Sequence, residues 1–254
     1  MKIGIITYHR ACNYGAYLQA FALCSRLNQE EEIEAEIIDF HMLKEKRFYD
    51  VTNYNILRKL KRFIKGTYYF EYKLYYSFQR AQQDSRLKKS DIYCVSDEIS
   101  DFQRLVKGKY DVIIAGSDEI WKIDSFRGFP TPYWLVGDLG CRKISYAASS
   151  RARFKSLDEK NYQIIQKVLN DFECIGVRDS YTYNEIINTI SEPQKVHMCC
   201  DPSFLYDFSL QKRKVNEVIR DKKKINANKK CVLIMTEDKE VAQVIKRQLK
   251  GKYN

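Results

Sequence analysis

The 254-residue sequence has no apolar run approaching the roughly 18 residues a membrane-spanning helix needs, which excludes an integral helical membrane protein. Its start, Met1-Lys2-Ile3-Gly4-Ile5-Ile6-Thr7, is soon cut off by Tyr8-His9-Arg10 and is too short for a secretory leader. Cys-x-x-Cys pairs are absent among the eight cysteines. Only His197 beside Cys199 and Cys200 approaches the Cys/His spacing that zinc recruits, and it fits poorly, so no metal is expected. Several cysteines, such as Cys174 and Cys231, lie in apolar runs where a thiol acts as a small hydrophobe. No recognised nucleic-acid motif accompanies the chain's positive charge, so nucleic acid is not an expected partner. The expectation is a soluble cytoplasmic protein with free, reduced thiols.

What is present is enough apolar material for a core, 44% of residues, and a formal charge of +11. The excess charge is local. Residues 42–90 carry a net +9 and residues 211–230 a net +7, which leaves the remainder acidic. Such segments attract anionic lipid, nucleic acid or acidic polymers, or are simply solvated helix faces.

Short apolar runs alternate with helical periodicity, the pattern of a Rossmann-like α/β sheet with crossover helices. Strands are expected at 2–7, 36–40, 110–115, 143–147, 174–177, 195–198 and 231–236. A crossover helix at 16–28 places Tyr17, Ala20, Phe21, Cys24 and Leu27 on one face. Another is expected at 157–171. Residues 42–90 break the rhythm; rich in Tyr, Lys and Arg, they read as a helical insertion with helices near 54–65 and 68–89. Residues 207–228 read as a connector. The strand at 231–236 and a helix at 237–250 are expected either to complete the first sheet or to open a second domain, with the first domain spanning 1–228 and the second starting at 229.

Loops at the carboxyl ends of parallel strands are where α/β proteins place ligands. The first, Thr7 to Ala16, runs into a helix N-terminus, whose free N–H groups favour an anion or polar oxygen. Asn13 is placed to cap that helix, His9 lies in the same loop, and Gly15 permits close approach of a ligand. One glycine is no phosphate-binding fingerprint, and a plain structural cap is equally consistent. Cys12 stands near enough to the helix start to be acidified, although no His partner is evident. After the strand at 110–115 come Gly116-Ser117-Asp118-Glu119-Ile120-Trp121. There a carboxylate could receive sugar hydroxyls and the indole could stack on a sugar face; alternatively Asp118 caps a helix and Trp121 is core. Ser149 lies among small residues that leave room for a ligand. Arg178 offers a planar fork suited to carboxylate or phosphate, or else an ion pair with Asp179 or Asp118. Asp201 before Pro202 reads as structural.

The ordered set Asn13-Tyr14-Gly15-Ala16 with Leu18-Gln19, Asp111 to Asp118 with Trp121, Tyr133-Trp134-Leu135, Ser145 to Ser149, Val177-Arg178-Asp179 and Asp201 to Leu205 resembles the polysaccharide pyruvyl transferase family across nearly the whole chain. The resemblance implies a cytoplasmic transferase, free or at the inner face of the membrane, with two Rossmann-like domains in a GT-B-like arrangement. It would move the enolpyruvyl unit of phosphoenolpyruvate onto two hydroxyls of a lipid-linked or nucleotide-linked sugar as a cyclic ketal. Glu119 and Asp179 stand where the family usually has Gln and Glu. The family's chain continues into a full second domain that helps bind the donor. Here only that domain's first strand and helix are expected, so the truncated chain is inactive if the rest is needed. Within this reading Arg178 binds a donor anion and Asp118 orients or deprotonates the acceptor. His9, Asn13, Gly15, Ser117, Trp121 and Ser149 line the substrate site. No cofactor is implied beyond phosphoenolpyruvate as co-substrate. The alternatives are a GT-B-like glycosyltransferase using a nucleotide sugar, and a non-catalytic remnant that holds an acidic glycan or membrane through 42–90.

Overall fold

In a computed structural model that describes residues 1–83, 86–207, 243–245 and 247–248, the apolar runs pair into one six-stranded sheet. Its strands are β1 (Lys2–Ile6), β2 (Glu34–Ile37), β5 (Val112–Ala115), β6 (Arg142–Ala148), β7 (Cys174–Val177) and β8 (Val196–Met198), in the spatial order β2-β1-β5-β6-β7-β8. All five pairings are parallel. A parallel sheet is covered on both faces, which is why its central strands read as continuous apolar runs. Two cores result. Ile3, Ile5, Val112 and Ile114 face the first crossover helix, α1 (Tyr14–Leu27), through Ala20, Leu23 and Cys24. Ile6, Ile113, Ala115, Ile175 and Val177 face the other way. They meet α5 (Ile99–Val106), α6 (Glu159–Asn170) and α7 (Ser180–Ile187) through Phe102, Ile165, Leu169 and Ile186.

Counting only the strands of the large sheet, the order is 2-1-3-4-5-6, not the 3-2-1-4-5-6 of dinucleotide-binding sheets. Strand β1 therefore has β2 on one side and β5 on the other, and the order reverses between β1 and β5. Crevices at the carboxyl ends of strands open at such a reversal.

The expected strand at 36–40 is split. After β2 the amide of Phe40 bonds back to the carbonyl of Ile38, and the chain restarts as β3 (Phe40–His41). That two-residue strand pairs in parallel with β4 (Cys94–Val95). Between them run α2 (Leu43–Tyr49), α3 (Ile56–Ile64) and α4 (Tyr68–Gln83). The helix expected over 68–89 is shorter than its pattern suggested. Leu87 is buried in the α1-side core, and the carbonyl of Lys88 takes the amide of Ile37, so 86–90 runs alongside β2. Helix α4 is anchored at its far end. Phe78 is buried edge-on to Tyr14 and Tyr17, and the Gln82 amide donates to the His9 carbonyl at 2.6 Å.

Two compact units divide the chain, Met1–Tyr206 and Asp207–Asn254. The strand expected at 231–236 lies outside the described residues; of the helix expected at 237–250, residues 243–245 and 247–248 are helical.

Candidate functional site

The loops after β1 and β5 are stitched together across the order reversal, where the Thr7 hydroxyl donates to the Ser117 carbonyl at 3.0 Å. His9 is fully buried behind this junction, with Nδ1 3.1 Å from the Thr7 carbonyl and Nε2 3.0 Å from Asp39 Oδ1. Arg10 Nε donates to the same carboxylate at 2.8 Å. Burial pushes the Asp39 carboxyl up, but the bonds from His9 and Arg10 outweigh it and hold the group well below the usual carboxylate range. His9, expected to touch substrate, instead braces the loop from within, because its ring is spent on backbone and Asp39. Asn13 does cap α1, its Oδ1 accepting from the Gly15 amide at 2.9 Å and, more loosely, from Ala16 at 3.4 Å. The Gly15 amide is thereby committed to the cap and not offered to a ligand. Asn13, Tyr14 and Gly15 remain exposed at the rim. Cys12 is not acidified; partial burial pushes its thiol up.

After β5 the chain turns through backbone that few residues tolerate. Gly116 has φ of +127°, and a Cβ there would stand 2.2 Å from the Tyr146 carbonyl oxygen. Ser117 is fully buried with no hydrogen-bond partner for its hydroxyl, so it lies beneath the surface instead of lining it. Asp118 holds φ of +87°, a strained region for a non-glycine residue, and such strain tends to be stored at functional positions. Its carbonyl accepts from the Ser149 amide at 2.9 Å, which ties the turn to the end of β6. One carboxylate oxygen accepts from the Glu119 amide at 2.8 Å, and no helix follows for it to cap. Trp121 is completely buried, its indole stacked on Trp134 at 5.4 Å and donating to the Tyr133 carbonyl. The expected sugar platform is therefore part of the core.

Strand β7 delivers Arg178 to the same edge. The Arg178 amide donates to the Ala148 carbonyl at 3.1 Å. One guanidinium nitrogen bonds Asp201 Oδ2 at 3.1 Å, and the other stands 3.9 Å from Asp118. About a quarter of the Arg178 side chain is exposed. Asp179 does not pair with it: that carboxylate caps α7, accepting from the Thr182 amide at 2.8 Å and from the Ser149 hydroxyl at 2.6 Å. Ser149 is thus buried and holds the cap. Asp201, after β8, accepts from Ser203, Gln19 and Arg178. Burial raises its pKa, but those bonds together hold it below the usual range.

Asp118 and Arg178 are thus brought together, with Asp201 as a third member and Gln19 reaching it from α1. Asn13 stands at the N-terminus of that same helix. His9, Ser117, Ser149 and Trp121 support the rim from beneath. Asp201 and Gln19 are the residues that reading the loops one at a time did not promote. They are 182 positions apart, so their contact has no local signal. Among the described residues no group of three or more His, Cys, Asp or Glu side chains is placed to hold a metal ion.

A family model described as polysaccharide pyruvyl transferase matches residues 13–253. No curated protein matches the chain.

Proposed function

The chain belongs to the polysaccharide pyruvyl transferase family, and we propose on that premise that it transfers pyruvate from phosphoenolpyruvate to a saccharide as a ketal, with Arg178 and Asp118 at the reacting groups. The observation that carries this reading is the part-exposed guanidinium at the strand ends. Asp201 fixes one of its nitrogens, and the other lies beyond hydrogen-bond range of Asp118. That second edge is available to a carboxylate or phosphate, which binds a guanidinium through paired, charge-assisted bonds. Gln19 and Asp201 keep the fork in one orientation, so little side-chain freedom is lost when an anion arrives.

In the reaction, two sugar oxygens form bonds to C2 of the enolpyruvyl unit. The C2–oxygen bond to phosphate breaks, and phosphate departs with the bonding pair. One hydroxyl proton ends on C3, which becomes a methyl group; the other leaves with phosphate. Asp118, partly exposed and oriented by the Glu119 amide, accepts a hydrogen bond from an attacking hydroxyl and takes its proton as the C–O bond forms. Asn13 commits only Oδ1 to its cap, and its amide nitrogen is placed to donate to a sugar or donor oxygen. No cofactor is needed in this scheme. A lipid-linked or nucleotide-linked surface-polysaccharide precursor as acceptor, a GT-B-like cleft closed by a second domain, and a cytoplasmic location all belong to this reading. No described helix is long and apolar enough to cross a membrane.

The test supplies phosphoenolpyruvate and a diol-bearing saccharide to the chain and follows phosphate release together with acceptor mass. The expected result is phosphate release that depends on acceptor, with product heavier by one pyruvate less one water. Release of nucleotide from a sugar nucleotide, with phosphoenolpyruvate untouched, would replace the reading with a glycosyl transfer.

A further inference from the structure

Helix α3 is amphipathic in the opposite sense to a helix on a soluble core. At about 100° per residue, Ile56, Leu57, Leu60, Phe63 and Ile64 share one arc, and Arg58, Lys59, Lys61, Arg62 and Lys65 occupy the other. The apolar arc faces outward, its five side chains between 54% and 82% exposed. The basic arc turns partly inward. The Arg58 guanidinium lies 3.9 Å from the Tyr54 ring centre, and Arg62 is 2.7 Å from Glu71. Lys61 and Lys65 stay exposed. At the start of α4, Tyr69 and Phe70 are each 67% exposed and enlarge the aromatic and apolar surface of the insertion. An exposed apolar patch of this kind marks a binding surface, and the cations beside it specify the partner's charge.

We infer that the apolar face of α3, with Tyr69 and Phe70, seats the protein on an anionic lipid bilayer. The apolar side chains enter the acyl boundary, while lysines of the basic arc reach up to the phosphate headgroups. A second copy of the chain is the less suitable occupant, because α3 would bring no acid to answer Lys59 and Lys61, the cations that border the apolar arc. Helix α4 links this face to the candidate site, since Gln82 bonds the His9 carbonyl and Phe78 packs on Tyr14 and Tyr17 at the start of α1. From Tyr68 to Phe78 the helix rises about 15 Å, so a docked α3 holds the rim about that far along α4. The inference stands independently of the catalytic reading.

The experiment is co-sedimentation of the full chain with vesicles of phosphatidylglycerol and phosphatidylcholine in equal parts, and with phosphatidylcholine alone. The expected result is retention on the anionic vesicles, about tenfold or more weaker on the neutral ones, and declining with salt. Leu60→Asp with Phe63→Asp, and separately Lys61→Glu with Lys65→Glu, should each reduce retention about tenfold or more. Because these side chains are exposed, both variants should melt with the unmodified chain. If the first does not fold, the second still decides the matter. No retention of the unmodified chain, retention indifferent to both variants, or equal retention on neutral vesicles would overturn the inference. So would a dimer in light scattering that Leu60→Asp with Phe63→Asp abolishes.

Discussion

Asp201 shows how a residue's role depends on partners that its own neighbourhood does not reveal. Its sequence context, ahead of Pro202, reads as a turn, and it does cap that turn through Ser203. The same carboxylate also fixes Arg178 and Gln19. Asp201→Asn should therefore weaken donor use by about tenfold or more, the scale of one lost charge-assisted bond, seen as a raised KM for phosphoenolpyruvate. An unchanged KM would assign Asp201 to the turn alone. Buried Glu45 makes a different case. It pairs with Arg127 at 3.1 Å and accepts from Tyr133 at 2.9 Å. Glu45→Gln leaves a guanidinium buried without its counter-charge and should cost about 3–5 kcal/mol, measured by denaturant unfolding. His41 supplies the pH dependence. Burial lowers its pKa to about 3, so the folded chain keeps it neutral. Its contribution to stability is complete above the unfolded value of about 6.5 and is lost as pH falls toward the folded value. The melting temperature should fall as pH drops below that of ordinary histidine, and His41→Phe should flatten this limb between neutrality and the carboxylate range.

At the scale of elements, the central strands were legible because a parallel sheet buried on both faces needs continuous apolar runs. Helices α1 and α6 are legible from their apolar stripes, and the cap of α1 from Asn13; the Asp158 cap of α6 emerges only in the structure. Strands β3 and β4 were not. Each has two residues, too few for any periodicity, and their pairing joins positions more than fifty apart. Helix α4 is shorter than its pattern because Leu87 enters the α1-side core while Lys88 and Ser90 bond Ile37 of β2. Among the candidate site residues, sequence indicates which loops gather at one sheet edge better than which side chains face outward. Trp121 and His9 have the chemistry of ligand contacts, but aromatic stacking and a buried carboxylate claim them first. Gly116→Ala forces a methyl against the Tyr146 carbonyl oxygen and should lower the melting temperature sharply, or leave the chain insoluble. Phe78→Ala removes the buried ring that holds α4 to α1 and should cost about 3–5 kcal/mol, with amide exchange accelerating first in α4.

For the molecule as a whole, strand order decides where a ligand can sit. The reversal between β1 and β5 gathers the loops bearing Thr7, Asn13 and Asp118, and the next strands bring Arg178 and Asp201 to the same edge. The uneven charge of the sequence fits the same arrangement, with much of the cationic excess in an insertion that packs on the first of these loops through Gln82. Whether the Arg178 guanidinium holds the donor is decided by calorimetric titration of phosphoenolpyruvate into the chain and into Arg178→Ala. Binding should be saturable and weakened about tenfold or more by Arg178→Ala, with the fold unchanged by circular dichroism. Equal affinity in both proteins, or no binding to the unmodified chain, would contradict it.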